Sequence, residues 1–168
     1  MSSPDVPSTC DLCDAHVATS DGSFRVLPPV FHTYGGRRAF SGQVVTVRCF
    51  EDNSLVKAAL DLPGEGRVLV VDGGGSLRRA LVGGNLGAAG ARNGWSGVVV
   101  DGCVRDVAEL AACDLGVRAL GLVPMPTQKR GEGQGDVPVV LQGVAVHPGD
   151  WLYADDDGIV VMSGPARA

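Results

Sequence analysis

Short apolar runs alternate with helix-like segments through the middle of the chain. The runs Arg67–Val71 and Gly97–Val100 are apolar at nearly every position, a pattern typical of strands that are buried on both faces of a parallel sheet. Ser41–Phe50 instead alternates polar and apolar residues, which indicates a strand with one buried face. Strands that alternate with short helices predict a mixed α/β fold.

Helices are predicted where a residue that favours the N-cap precedes apolar positions at helical spacing. Ser8 or Thr9, Asn53 and Asn85 occupy such positions and are expected to cap helices. The predicted helices span residues 9–18, 53–60, 85–92 and 104–112, and the later strands span 117–123, 137–146 and 151–162. No linker-like stretch and no repeat interrupts this succession, so we predict a single domain over residues 1–168.

Composition and charge argue against two broad classes of function. The 168 residues are 45% hydrophobic and 20% charged, with a formal net charge of −5, and no basic stripe is interleaved with aromatic residues. We therefore expect no direct contact with nucleic acid. No apolar run approaches the ~20 residues that cross a bilayer. The polar start of the chain does not resemble a signal peptide, so a protein of the cytoplasm with no membrane contact is expected.

A glycine-rich turn at Gly83, Gly84, Asn85 and Leu86 is the first candidate for binding chemistry. Glycines before a helix leave backbone N–H groups exposed, and the positive end of the helix dipole adds to their attraction for anions. A carboxylate suits such a turn as well as a phosphate does. The segment lacks the G-K-[ST] of a P-loop and a dinucleotide fingerprint in convincing form, and a plain tight turn is the alternative interpretation.

Arg105 and Asp106 form the second candidate, after the buried strand that begins at Gly97. A guanidinium holds a carboxylate or a developing enolate in fixed geometry, and an adjacent carboxylate binds a hard divalent cation such as Mg²⁺ or Mn²⁺. In isolation the pair is more typical of a surface salt bridge. Twenty residues separate Gly84 from Arg105, the length of one helix plus one strand. This spacing places two strand-to-helix turns side by side, so we predict one pocket for an α-keto acid.

Three longer segments carry a resemblance to a known family. They are F-S-G-Q-V-V-T-V-R-C-F-E-D-N at 40–53, G-R-V-L-V-V-D-G-G-G-S-L-R-R-A-L at 66–81 and G-D-W-L-Y-A-D-D-D-G-I-V at 149–160. With the glycine turn and the Arg105–Asp106 pair, they resemble the family that contains the regulator of ribonuclease activity A and the 4-hydroxy-4-methyl-2-oxoglutarate aldolases. The resemblance covers most of the chain and is closer to the regulator branch.

The resemblance implies a swivelling β/β/α fold with a central mixed sheet flanked by helices, assembled as a homotrimer with pockets at subunit contacts. It also implies a metal-dependent (class II) aldolase, a lyase that cleaves 4-hydroxy-4-methyl-2-oxoglutarate to two pyruvates and decarboxylates oxaloacetate. Backbone amides of the turn at residues 83–86 would bind the substrate carboxylate. Arg105 would bind the keto acid and stabilise the enolate, and Asp106 would carry Mg²⁺ or Mn²⁺.

The regulator branch implies a different activity, the binding and inhibition of a ribonuclease E-type endoribonuclease. The closer resemblance favours it, as does the expectation that the chain lacks the C-terminal carboxylate that dedicated aldolases supply to a neighbouring subunit. Asp106 favours the enzymatic alternative, because some regulator proteins have no acid after the arginine. A menaquinone-pathway methyltransferase is not favoured, since the chain is short for that fold. Asp72, which ends a buried strand, has either a pocket role or a structural one.

Overall fold

The computed structural model describes residues 5–167, and it confirms the mixed α/β fold. The helices in this part of the chain are α1 (Thr9–His16), α2 (Ser54–Leu60), α3 (Gly84–Arg92) and α4 (Val107–Ala111). The first strands are β1 (Phe24–Val26), β2 (His32–Thr33), β3 (Phe40–Arg48), β4 (Val68–Asp72), β5 (Ala80–Val82), β6 (Gly97–Val104) and β7 (Gly116–Leu122). They are followed by β8 (Gln134–Gly135), β9 (Val139–Leu141), β10 (Val144–Val146), β11 (Trp151–Asp155) and β12 (Gly158–Met162). None of the described helices is long and apolar enough to cross a bilayer.

Ten strands form one mixed sheet within the described residues. Its centre is parallel, in the order β3-β4-β6-β7, and β5 pairs with the end of β6. Antiparallel strands extend both sides, with β11, β12 and β1 beyond β3, and with β2 beside β7. Because parallel strands end at the same edge of a sheet, the segments that follow β4, β5 and β6 emerge together there.

The two faces of the sheet bury different side chains, since successive residues of a strand point in opposite directions. In β4, Leu69 packs in the core beneath the helices with Leu60 of α2. Its neighbour Val70 packs in a second core, with Leu141 of the β9–β10 hairpin. All four side chains are fully buried, and each such burial contributes about 1.5–3 kcal/mol. β4 is therefore covered on both faces, which accounts for its continuous apolar pattern.

Some boundaries differ from the sequence-based predictions. The helix predicted from residue 104 begins only at Val107, because β6 continues to Val104 and pairs with β7 there. The segments predicted as strands at 137–146 and 151–162 are hairpins, β9–β10 and β11–β12. In the first hairpin only Gln142 and Gly143 interrupt the apolar pattern, whereas the polar run from Asp155 to Gly158 marks the turn of the second and is typical of a solvated turn between strands. The short strands β1 and β2 were not predicted.

Candidate active site

The turns that follow β5 and β6 lie side by side. The two strands pair in parallel, and the backbone N–H of Arg105 donates to the carbonyl of Val82 at the end of β5 at 3.0 Å. The glycine turn at residues 83–86 is therefore adjacent to the Arg105–Asp106 pair. This is the adjacency expected from the length of one helix plus one strand between them.

The start of α3 is capped by a carboxylate from the neighbouring turn. Gly83 is the N-cap residue and has no side chain with which to cap the helix. Asn85, which was predicted as the cap, lies inside α3 instead, so that prediction was wrong. The N–H of Gly84 donates to Oδ2 of Asp106 at 2.9 Å. The helix start thus attracts a carboxylate oxygen, as its unpaired donors and positive dipole end favour.

Asp106 has a backbone conformation that few residues adopt. Its φ of 60° and ψ of 51° lie in the left-handed region, which Asp and Asn tolerate better than most residues do. A Cβ at Gly83 would lie 2.8 Å from Oδ2 of Asp106 and 3.4 Å from Cγ of Arg105. Both side chains therefore approach the glycine turn, although neighbouring residues usually diverge. Strained backbone of this kind is concentrated at functional sites.

A second carboxylate, that of Glu109, reaches the same place and was missed from the sequence. Glu109 lies in the first turn of α4, three residues after Asp106. A Cβ at Gly84 would overlap Oε2 of Glu109, so a larger residue at this position would require the side chain of Glu109 to move. The three-residue spacing from Asp106 to Glu109 could have indicated this contact in the sequence, because residues three apart at the start of a helix lie on one face.

A cavity of about 180 Å³ lies between the two turns. The residues that line it are Asn53, Lys57, Ala80, Gly83, Gly84, Asn85, Leu86, Arg105, Asp106, Pro126 and Lys129. Every residue predicted for the site is among them. Nη1 of Arg105 donates to the carbonyl of Pro124 at 3.3 Å, which orients the guanidinium. Pockets for drug-sized ligands hold roughly 300–1,000 Å³, so this cavity suits a smaller metabolite.

Cationic groups border the cavity from three elements. Arg105 follows β6, Lys57 lies on α2, and Lys129 lies on the loop after β7. Nζ of Lys57 lies 2.6 Å from Oδ2 of Asp61, and because both side chains are about half exposed the pair is weak. Three cations around one small cavity favour an anionic ligand.

Oxygen ligands for a divalent cation are present at the same place. The carboxylates of Asp106 and Glu109 both border Gly84. Within residues 5–167, no three His, Cys, Asp or Glu side chains are grouped so that they would enclose an ion. Mg²⁺ is commonly held by one or two carboxylates and keeps several waters, whereas a structural Zn²⁺ takes four protein ligands. The residues present therefore fit a hydrated Mg²⁺ or Mn²⁺ ion, and Asp106 stays the predicted ligand.

A larger cavity, of about 340 Å³, lies against the loop that contains Lys129 but has different chemistry. Two of the three acidic side chains that line it, Glu51 and Asp52, are already engaged within the chain. Glu51 accepts from Nε of Arg78 at 2.8 Å and also binds Ser76, and Asp52 accepts four hydrogen bonds. We assign the candidate site to the smaller cavity, because a helix start, the guanidinium of Arg105 and the carboxylate of Asp106 meet there.

The fold and the cavity together define a class, the α/β proteins in which two adjacent strand-to-helix turns form a small cavity bordered by cationic side chains. The chain belongs to the RraA-like family (aldolase/RraA), whose profile matches residues 9–161. The family indicated by the three sequence segments is thus confirmed.

Relatives match along nearly the whole chain. A protein of Albidiferax ferrireducens, provisionally named 4-hydroxy-4-methyl-2-oxoglutarate aldolase, is 66% identical over 165 residues and covers 94% of this chain and 95% of its own. The solved structure of the RNA-processing inhibitor RraA from Thermus thermophilis is 46% identical, with a TM-score of 0.91 and 96% of both chains covered. A Geobacillus kaustophilus structure described as an S-adenosylmethionine: 2-dimethylmenaquinone methyltransferase is 43% identical, with a TM-score of 0.89 over 95% of this chain and 96% of the other. Proteins similar to this chain therefore carry three different functional names.

Proposed function

We propose that the protein is a divalent-metal-dependent carbon–carbon lyase, a class II aldolase that cleaves 4-hydroxy-4-methyl-2-oxoglutarate to two pyruvates and also decarboxylates oxaloacetate. One observation carries the proposal. The amides of the glycine turn, the guanidinium of Arg105 and the carboxylate of Asp106 border a single small cavity. An α-keto acid presents a carboxylate beside a keto oxygen. The amides and the guanidinium complement the carboxylate, and a cation held by Asp106 would complement the keto oxygen.

The substrate carboxylate is bound by the backbone amides at residues 83–86. The N–H of Gly84 already donates to Oδ2 of Asp106, which places an oxygen of the same type at the helix start and leaves the other amides of the turn for the substrate. Further N–H groups in the first turn of α3 have no partner within the helix and provide additional donors. Arg105 holds the keto acid from the other turn.

Both reactions generate the same negative charge, that of a pyruvate enolate. Decarboxylation leaves the electron pair of the broken carbon–carbon bond on the pyruvate fragment and releases carbon dioxide. Retro-aldol cleavage removes the hydroxyl proton, forms one pyruvate as a ketone and leaves the other as the enolate, which then takes up a proton. Arg105 stabilises the enolate by charge and hydrogen bonding. Asp106 would hold a divalent cation, which would supply Lewis acidity to the reaction when bound.

The cavity favours this function over the methyltransferase name of the Geobacillus structure. S-adenosylmethionine is a drug-sized ligand, and pockets for such ligands hold roughly 300–1,000 Å³, whereas this cavity holds about 180 Å³. None of the described residues that line it is aromatic, so an adenine ring would have no stacking partner. The Albidiferax relative, at 66% identity, carries an aldolase name and supports a lyase.

We further propose a cytoplasmic homotrimer with the cavities at subunit contacts. Three apolar side chains on the segments that flank Arg105 support this assembly, since Val107, Leu122 and Met125 are 46%, 50% and 52% exposed. Burial of these groups against neighbouring subunits would remove apolar surface from water and so favour assembly. Sedimentation equilibrium should give three times the mass of one chain, and a monomer at micromolar concentration would contradict the trimer.

A coupled assay of pyruvate release tests the lyase function. Purified protein with Mg²⁺ or Mn²⁺ is expected to release pyruvate from oxaloacetate and from 4-hydroxy-4-methyl-2-oxoglutarate faster than the metal alone. Chelation should abolish the difference, and added metal should restore it. Rates equal to the metal-only background for both substrates and both metals would reject the enzymatic function.

A second candidate function is inhibition of a ribonuclease E-type endoribonuclease by direct binding. The likeness to the Thermus RNA-processing inhibitor, at 46% identity, favours it. Surface plasmon resonance against a purified ribonuclease E-type enzyme tests this function, together with an RNA cleavage assay. A complex that slows cleavage would support it, and no complex at micromolar concentration would reject it. Arg105→Ala separates the two functions, because inhibition through an outer surface does not require the cavity.

A further inference from the structure

We propose that Asn53 is a positioning residue that connects the two walls of the candidate cavity and thereby holds Lys129 beside it. The kinetic consequences rest on the proposed lyase function. Asn53 is 8% exposed and occupies the N-cap position of α2. An asparagine there normally caps the helix through its side chain. The side chain of Asn53 makes no such bond, so its amide is used elsewhere.

The side-chain amide of Asn53 spans two segments of the cavity wall. Nδ2 donates to the carbonyl of Leu81 in β5, the strand that leads into the glycine turn, at 3.0 Å. Oδ1 accepts from the hydroxyl of Thr127, on the loop after β7, at 2.8 Å. Because a carbonyl only accepts, the contact with Leu81 fixes which end of the amide faces which wall. One buried side chain therefore sets the distance between the glycine turn and the loop.

Asp52 provides a second anchor for the same loop. Oδ1 accepts from the N–H and the hydroxyl of Ser54 at 2.9 and 2.6 Å, so Asp52 takes over the capping of α2. Oδ2 accepts from the N–H groups of Arg130 and Glu132 at 2.8 and 3.2 Å. Burial alone would raise the pKa of Asp52, but these hydrogen bonds outweigh it and lower the pKa to about 2. The anchor is consequently ionised at neutral pH.

Lys129 lies between the two anchors. Residues 127–133 contain no helix or strand, so the bonds from Thr127 and Arg130 to the start of α2 fix this part of the loop. The earlier part is fixed independently, since the N–H of Ala80 donates to the carbonyl of Met125 at 2.8 Å. Loss of the Asn53 bridge should therefore loosen the loop from residue 127 onward, with Asp52 left as an anchor at Arg130 and Glu132, while the sheet stays intact.

The variants Asn53→Ala, Thr127→Val and Thr127→Ser test the bridge. Thr127→Val removes the hydroxyl at nearly constant volume, and Thr127→Ser retains it. Asn53→Ala and Thr127→Val are expected to raise KM for oxaloacetate about tenfold, with a smaller fall in kcat, because misplacement by 1 Å costs up to about 10²-fold. Thr127→Ser should remain close to the wild type. Amide hydrogen exchange in residues 127–133 should quicken about tenfold in the first two variants, while β4 and β6 keep their rates.

Asn93→Ala is the matched control. Nδ2 of Asn93 donates to the carbonyl of Leu60, at the other end of α2, at 2.8 Å. This variant loses the same kind of bond, so it should lower the melting temperature without changing KM or the exchange of the loop.

Unchanged KM and unchanged loop exchange in Thr127→Val would overturn the positioning role, and this holds even where Asn53→Ala fails to fold. Faster exchange with an unchanged KM would also overturn it, because the loop would then move without affecting the site. If the wild type releases no pyruvate, the lyase function fails. The exchange comparison between Thr127→Val and Thr127→Ser then decides by itself whether the bridge holds the loop.

Discussion

Two neighbouring strands of the sheet, β4 and β6, lead into acidic residues with opposite surroundings. Asp72 ends β4, and its Oδ1 and Oδ2 atoms accept from the N–H groups of Gly74 and Val140 at 3.0 and 3.2 Å. Asp106 follows β6, and among the described residues its carboxylate makes one hydrogen bond, with Gly84 at 2.9 Å. The carboxylate of Asp72 is engaged on both oxygens by the chain, whereas that of Asp106 keeps acceptor capacity beside a cavity.

The surroundings of Asp72 form a structural junction. Asp101 lies opposite Asp72 in the register of β4 and β6 and is 4% exposed. Oδ1 of Asp101 accepts from Nε2 of Gln142 at 2.7 Å. Burial raises the pKa of Asp101, with the charge of Asp72 acting in the same direction and the bonds from Gln142 opposing it. The two carboxylates attach the β9–β10 hairpin to the sheet, which favours the structural alternative for Asp72.

The difference teaches that an acid after a buried strand is not by itself a sign of chemistry. Asp72 and Asp106 both lie at the end of a buried strand, although Asp101 rather than Asp106 pairs with Asp72 in the register. The carboxylates of Asp72 and Asp106 differ in how many hydrogen bonds they accept from the chain. A carboxylate whose oxygens are both bonded to backbone N–H groups has little capacity left for a ligand. Substitutions near Asp106 should therefore change turnover, whereas substitutions at saturated carboxylates should change stability.

The largest effect is expected for Arg105→Ala. The value of kcat/KM for oxaloacetate should fall by roughly 10²–10³, since loss of one donor to a developing oxyanion costs about that much. Arg38→Ala is the control, because it removes the same guanidinium group from an exposed surface ion pair. Arg38 pairs with Asp156, and the two side chains are 71% and 63% exposed. If kcat/KM for oxaloacetate fell by less than about threefold in Arg105→Ala, the end of β6 would not differ from the structural end of β4.

A smaller loss, of about 10- to 100-fold in kcat/KM, is expected for Gly84→Ala. The new methyl group would take the place of Oε2 of Glu109, so the carboxylate of Glu109 must move away from the helix start. Gly135→Ala is the control, because no atom lies within 4 Å of a Cβ there. Pyruvate release and circular-dichroism melting measure both variants. Full activity in Gly84→Ala would exclude a role for the position of Glu109.

The smallest effect concerns stability at a saturated carboxylate. Asp52 has an ordinary pKa of 3.8 that is lowered to about 2 in the folded chain. The ionised carboxylate of Asp52 therefore stabilises the fold above about pH 4, and this stabilisation is lost as the pH falls toward 2. Asp52→Asn should lower the free energy of unfolding at pH 7 by about 1–2 kcal/mol, after allowance for solvent screening. Urea unfolding at pH 7 and pH 3 measures this. If the free energy of unfolding depended on pH equally in the wild type and in Asp52→Asn, the hydrogen bonds to Asp52 would not stabilise its charged form.

The sequence predicted the features that depend on local pattern. The apolar runs gave the central strands, and the twenty residues between Gly84 and Arg105 predicted that their turns are adjacent. The cap of α1 was predicted from the sequence, since Ser8 accepts from the N–H of Asp11. The other caps were not predictable, because Asn53 and Asn85 have equal N-cap propensity. Only tertiary packing decides that the side chain of Asn53 bonds elsewhere and that Gly83 replaces Asn85. Glu109 was missed for the same reason, since its contact arises only where α3 and α4 pack. The roles assigned to residues 83–86, Arg105 and Asp106 stay predictions for the assays to decide.

The most direct measurement compares pyruvate release from oxaloacetate by Asp106→Asn and Asp72→Asn at saturating Mg²⁺. Asparagine tolerates the left-handed backbone at position 106 and keeps an acceptor for Gly84, so the charge is the main loss. We predict that Asp106→Asn loses about 10²-fold or more in kcat, while Asp72→Asn stays within about threefold of the wild type. Equal rates in the two variants, or an active Asp106→Asn, would contradict the assignment of the site.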